Sequence, residues 1–171
     1  ASAPLSFDGG LARIATQHEF PVLLKRGFGI TLDESLHAAE YLASEGNRKV
    51  VFGLRGMKTS IGDPHRNFVD FAHVPVVKRL TRMPVCIDPS HSVGTRARCT
   101  EGILDIMHVT AQGVVAGANM VLVDFHPAPE LALVDGPQAL RLEELPLFLE
   151  DVAVAREAYE KRLRLAARYQ R

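Results

Sequence analysis

Val85-Cys86-Ile87 runs apolar and then breaks into Asp88-Pro89-Ser90-His91, setting a carboxylate, a hydroxyl and an imidazole side by side. A short apolar run ending in such groups reads as a buried strand that delivers them to its C-terminal mouth. Three more runs end the same way. Val22-Leu23-Leu24 ends in Lys25-Arg26-Gly27, Val50-Val51-Phe52 leads through Gly53-Leu54 to Arg55-Gly56, and Val121-Leu122-Val123 ends in Asp124-Phe125-His126-Pro127. Two chemistries are on offer. His91, Asp124, His126 and Asp135 form a nitrogen and oxygen donor set suited to Mn, Fe, Co or Zn. The competing reading makes His91 a hydrogen-bonded loop residue. Lys25, Arg26 and Arg55 are cations at strand ends, where burial demands a partner. That partner is an anionic ligand, since guanidinium grips phosphate or carboxylate through parallel donors, or else Asp88 or Asp124 across the strand ends. Arg66, Arg96 and Arg98 follow the second and third strands and offer a second anion pocket. His18, His37, His73 and His108 read as surface or packing residues, while His65 stands next to Arg66 in a long loop.

The intervening segments must position these strand ends. Thr31-Leu32-Asp33-Glu34 is a capping box, and Leu36, Ala39 and Ala43 recur at helical spacing before Gly46-Asn47 closes the helix. Residues 57–67 read as a polar loop broken by Gly62 and Pro64, and 69–80 as a helix interrupted near Pro75. A loop carrying Gly94, Arg96 and Arg98 follows the third strand. Ile103, Ile106, Met107 and Val114 mark a helix ending at Gly117, and 143–170 a long amphipathic helix with Pro146 in its first turn. The first ten residues read as a loop. Strand and helix alternate throughout, which argues for an α/β fold with a parallel sheet. Functional groups at strand C-termini suit both a barrel and an open doubly wound sheet.

The chain has 171 residues, expected to form a single domain over 1–171. Twenty Lys and Arg balance twenty Asp and Glu, so no global field draws it to nucleic acid or membrane. No G-x-G-x-x-G or Walker pattern supports nucleotide binding. Cys86 and Cys99 make no framework, and with no signal peptide or long apolar span a cytoplasmic setting is expected.

Taken together, these phrases resemble the class I family of 3-deoxy-7-phosphoheptulonate (DAHP) synthases and the related 3-deoxy-octulosonate 8-phosphate synthases. The resemblance runs from about Pro21 to Leu140. It rests on Pro21 to Gly27, Ala38-Ala39-Glu40-Tyr41, Gly46-Asn47, Arg55-Gly56, Arg66-Asn67 with Asp70, Val74-Pro75, Pro84 to His91 with Gly94, Ala116-Gly117-Ala118, His126-Pro127, Pro129-Glu130, Ala132-Leu133 and Asp135-Gly136-Pro137-Gln138. It implies a (β/α)8 TIM-barrel type fold, of which about four βα units, the C-terminal half-barrel, are present. It also implies a metal-assisted, aldol-type condensation of phosphoenolpyruvate with a phosphorylated aldose such as erythrose 4-phosphate. On this basis Lys25 and His91 are the expected catalytic residues. Lys25, Arg26, Arg55, Arg66 and Ser90 are the expected substrate contacts, and His91, Asp124 and Asp135 the ligands of a divalent Mn, Co, Fe or Zn ion.

The departures are specific. Asp124 stands where the family carries a metal-binding Glu, Leu54 where it carries Glu before Arg-Gly, and Ser2 near an expected Arg. The metal-binding Cys of the first half-barrel has no counterpart, and the chain opens on Ala1, as a trimmed or excised piece would. The second functional reading is therefore a non-catalytic half-barrel with a binding, scaffolding or regulatory role, and a third is another metal-dependent aldolase or lyase. A half-barrel would leave Val22, Leu24, Val51 and Val85 facing water, so a homo-oligomer or a complex with a complementary barrel half is expected.

Overall fold

The structure, a computed structural model, describes residues 9–17, 20–61 and 65–169. Ser2, His18, Gly62 and Pro64 lie outside the described residues. Four strands, β1 (Val22–Lys25), β2 (Val50–Leu54), β3 (Val85–Ile87) and β4 (Met120–Val121), pair in parallel in the order β1-β2-β3-β4. A doubly wound sheet reverses its strand order at a switch point, and a barrel does not. The unreversed order therefore identifies an arc of a (β/α) barrel, covering part of the closed circle. Among the described residues six α-helices accompany it: α1 (Gly9–Gln17), α2 (Leu32–Ser44), α3 (Val74–Thr81), α4 (Pro89–Val93), α5 (Asp105–Val115) and α6 (Leu145–Tyr169). After β4, a short parallel pair forms between β5 (Phe125–His126) and β6 (Leu140–Arg141). Among the described helices, none is long and apolar enough to cross a membrane.

The local signals explain most of these boundaries. Thr31 accepts from the Glu34 amide while Glu34 reaches back to the Thr31 amide, so the expected capping box starts α2. Pro75 falls in the first turn of α3, where a missing N–H costs nothing. A 3-10 turn over Phe71–His73 precedes it, in place of one interrupted helix. Two helices were not expected. Residues 9–17 are helical, overlapping at Gly9 and Gly10 the first ten residues read as a loop, and α4 forms where the loop after Asp88 was expected. The second has a plain cause: Asp88 caps it by accepting from the His91 amide, Pro89 takes the first helical position, and Gly94 ends it at φ 75°.

The faces of the sheet follow from register and alternation. Phe52, Leu54, Val85 and Ile87 are fully buried against Phe71, Val74, Val77, Ile106, Met107 and Val109 from the helical layer. Each such side chain contributes about 1.5–3 kcal/mol relative to exposure. Truncating Phe52 to Ala would cost about 3–5 kcal/mol. Gly113 lets α5 lie close to the sheet, because a Cβ there would overlap Ile87 and Phe71. The opposite face carries Leu23 paired with Val51, and Gly53 in register with Lys25, Cys86 and Met120. This corrects the expectation for the uncovered surface. Val85 is 0% exposed and Val22 and Leu24 pack on buried clusters, so of the four expected residues only Val51 lies on the face without helices, beside Leu23 and Met120. Cys86 is buried on that face, and burial pushes its thiol up to about 11, with Asp88 adding to the rise.

Candidate active site at the strand ends

Each strand hands over its functional group at its last residue or just beyond it. Lys25 ends β1, and its Nζ lies 2.9 Å from Asp88 Oδ2, one residue past β3. Asp88 is 2% exposed and has three donors: Lys25, the His91 ring and the His91 backbone amide. Burial works against its charge, but the His91 and Lys25 hydrogen bonds outweigh it and hold the carboxyl below the ordinary aspartate value. An ionised carboxylate only accepts, so the 2.9 Å contact to His91 Nδ1 places the proton on Nδ1. In the neutral ring with its proton on Nδ1, Nε2 carries the lone pair, the form that ligates metals.

Nε2 lies 3.7 Å from Asp135 Oδ2, and Nδ1 lies 3.8 Å from Asp124 Oδ2. Ligand atoms of His91, Asp124 and Asp135 all fall within 4.8 Å of one another. One imidazole nitrogen and two carboxylates make a donor set that fits a borderline divalent cation. Three of the four donors read from sequence are thus brought together. The fourth, His126, accepts the Ala128 amide at 3.0 Å and stands outside the cluster.

The cations separate into two groups. Arg55 stacks over the Phe28 ring with its guanidinium carbon 4.1 Å from the centroid. Its Nε is buried without a partner, and among the described residues the side chain makes no hydrogen bond or ion pair. Burial lowers its pKa from the ordinary arginine value. Asp88, Asp135 and Asp124 oppose that shift, while Arg66 reinforces it; Arg55 directly follows β2, between the ends of β1 and β3 that carry Lys25 and Asp88. Arg66 sits at its rim, donating to Gln138 Oε1 at 2.9 Å and approaching Asp135 Oδ1 at 3.6 Å. It is set by Gly94, whose φ of 75° and missing Cβ leave room for the Arg66 stem.

The second group is committed elsewhere. Arg26 is 2% exposed and bonds Asp70 at 2.9 Å, the Ile30 carbonyl and His73 Nδ1. The structure does not bring it to the mouth: as the residue after Lys25, it points to the other side of the sheet. Ser90 is fully buried, and its Oγ accepts the Asp124 amide at 2.9 Å. Arg96 and Arg98 do not form an anion pocket; Glu144 holds both, Arg96 through two bonds at 2.8 and 2.9 Å.

Two contributors escaped the sequence reading. Phe28 supports Arg55, and Gln138, 2% exposed, donates to Asp124 Oδ2 at 2.9 Å. No local pattern marks either one. Their roles arise only when the strand ends converge.

Residues 8–160 match the family model described as the DAHP synthetase I family. A phospho-2-dehydro-3-deoxyheptonate aldolase of Thermotoga maritima is 38% identical over 129 residues, covering 75% of this chain and 36% of that protein. A 2-dehydro-3-deoxyphosphooctonate aldolase of Desulfosudis oleivorans is 29% identical over 143 residues, covering 81% of this chain and 50% of that protein. The crystal structure of the DAHP synthase of Thermotoga maritima superposes with a TM-score of 0.75 at 35% identity, over 90% of this chain and 42% of that one. The chain thus spans about a third to a half of the length of these relatives.

Proposed function

The chain belongs to the DAHP synthetase I family, and we propose that it carries one part of the active site for an aldol-type condensation of phosphoenolpyruvate with a phosphorylated aldose of the erythrose 4-phosphate kind. The observation that carries this reading is the convergence, at one mouth, of an unpaired Arg55 with the His91, Asp124 and Asp135 donors. Phosphoenolpyruvate presents a phosphate and a carboxylate. Arg55 has its guanidinium pre-set by Phe28 and no internal anion to give up. Lys25 supplies a second charge, shared with Asp88.

His91, Asp124 and Asp135 would hold the divalent cation. When bound, it supplies Lewis acidity to the aldehyde oxygen. The remaining work belongs to the side chains. Asp88 fixes the His91 tautomer and ring plane. Lys25 and Arg55 balance the charge of phosphoenolpyruvate and orient its C3 toward the aldehyde. Arg66, at the rim, is placed to meet the phosphate of the aldose or of phosphoenolpyruvate. The condensation consumes water at C2 and releases inorganic phosphate. The other strands of the barrel complete the site, from a further segment of the same protein, a second copy or a complementary half.

The test is phosphate release from phosphoenolpyruvate, measured with a panel of phosphorylated aldoses, with and without Mn or Co, for the wild type and His91→Ala. Aldose-dependent and metal-dependent release that His91→Ala abolishes supports the reading. Phosphoenolpyruvate binding without turnover under every condition favours the non-catalytic, ligand-binding alternative.

A further inference from the structure

The structure assigns to Gln138 a positioning role: its buried carboxamide holds Asp124 in place as a metal ligand by tying it to Arg66. This rests on the reading of His91, Asp124 and Asp135 as the cation site. Gln138 lies three residues beyond Asp135, in the 3-10 turn Gly136–Gln138, and its side chain spans two groups of opposite charge. Arg66 Nη1 donates to Oε1 at 2.9 Å, and Nε2 donates to Asp124 Oδ2 at 2.9 Å.

The orientation of the amide is fixed by its neighbours. A guanidinium only donates and a carboxylate only accepts, so the oxygen must face Arg66 and the NH2 must face Asp124. A carboxamide satisfies both at once. Glu would set a like charge against Asp124, and Leu would satisfy neither. Asn has both functions but is one methylene shorter and cannot span them.

Asp124 is otherwise weakly held. Its backbone amide is anchored by Ser90 Oγ, but its side chain is 29% exposed, with His91 3.8 Å from the same Oδ2. A carboxylate at a mouth has several rotamers open to it, and only one of them shares a point with His91 and Asp135. Gln138 is 2% exposed, so its own rotamer is locked by packing. Its hydrogen bond transfers that rigidity to Asp124, as partners of metal ligands do elsewhere. Arg66 fixes the other end of the amide and also lies 3.6 Å from Asp135, so one chain of contacts orders both carboxylates.

The test is calorimetric titration of the whole chain with Mn alone. Gln138→Leu keeps the shape of the side chain and removes both hydrogen bonds. Arg66 and Asp124 remain hydrated, since their side chains are 42% and 29% exposed, and the unfolding midpoint should stay close to that of the wild type. Mn affinity should fall about 10–100-fold. In an Asp124→Ala background the same change should alter affinity less than about twofold, because the carboxylate it acts on is gone. Gln138→Asn should repeat the loss and replaces the Leu variant if that one does not fold. An unchanged Mn affinity in the folded variants overturns the role. So does an equal loss in both backgrounds, which would mean that Gln138 does not act through Asp124. A wild type that binds no Mn overturns the cation site and this role together, whereas a wild type that binds and a Gln138 variant that binds equally overturns only this one.

Discussion

Lys25, at the end of the first strand, places its Nζ 2.9 Å from the carboxylate of Asp88, 63 positions later in the chain. This pair ties β1 to β3 at the mouth of the site, and the same carboxylate holds His91 through its ring and its amide. Structure and chemistry therefore share one buried anion. Asp88→Ala should remove three charge-assisted bonds and leave Lys25 facing a partly buried void. Lys25 is about one third exposed, so water offsets part of the loss. Urea unfolding should show a destabilisation of about 2–4 kcal/mol. A change below about 0.5 kcal/mol would mean that Asp88 is not a structural hub.

Glu144 gives a pH-dependent contact away from the mouth. It clamps Arg96 through two bonds, approaches Arg98 at 3.5 Å and accepts the Arg141 amide at 2.8 Å. Burial pushes its carboxyl up, but these donors outweigh burial and hold it below the ordinary glutamate value. A depressed native value means that the contribution is complete above the unfolded value of about 4.3 and is lost as pH falls through the native one. Glu144→Gln should cost about 1–3 kcal/mol at pH 7. The gap between variant and wild type should narrow as the pH falls below about 4.3, the unfolded value. A gap that stays constant as the carboxyl is titrated with acid would contradict the assignment.

The strand ends were legible because each one couples two signals, an apolar run and an abrupt ionisable group. Thr31 and Glu34 announced α2 because a capping box is local chemistry. Asp88-Pro89 held the same kind of signal for α4, an N-cap followed by proline at the first helical position, which the sequence reading passed over as a loop. The divide between ligand-facing and structural cations was not legible. Lys25 and Arg26 are adjacent and equally charged, yet alternation along the strand sends one to the mouth and the other to Asp70. The same parity misplaced Val85 and Leu24, which face the helices, while Leu23 and Val51 face the barrel interior. Asp135 was read as a donor, but Gln138 joined the site through the turn that begins with Asp135 at φ 55°, a conformation no spacing rule anticipates.

The interior face bears on assembly. Among the described residues β1 and β4 each pair along one edge only, and Met120 on that face is 45% exposed. Open edges and an uncovered face favour pairing with a complementary half, through a further segment of the same protein, a second copy or another chain. Light scattering should give a mass above that of one chain, with an unfolding midpoint that rises with protein concentration. The mass of a single chain, with concentration-independent unfolding, would show that the arc is stable alone.

Calorimetric titration with phosphoenolpyruvate tests the central claim most directly, that this mouth receives an anion through Arg55. Arg55 is the informative position because it holds no internal ion pair, so its loss strands no other charge among the described residues. The wild type should bind, and Arg55→Ala should bind at least about tenfold more weakly, a loss of about 1.4 kcal/mol or more. Equal affinity in the two proteins would contradict the account.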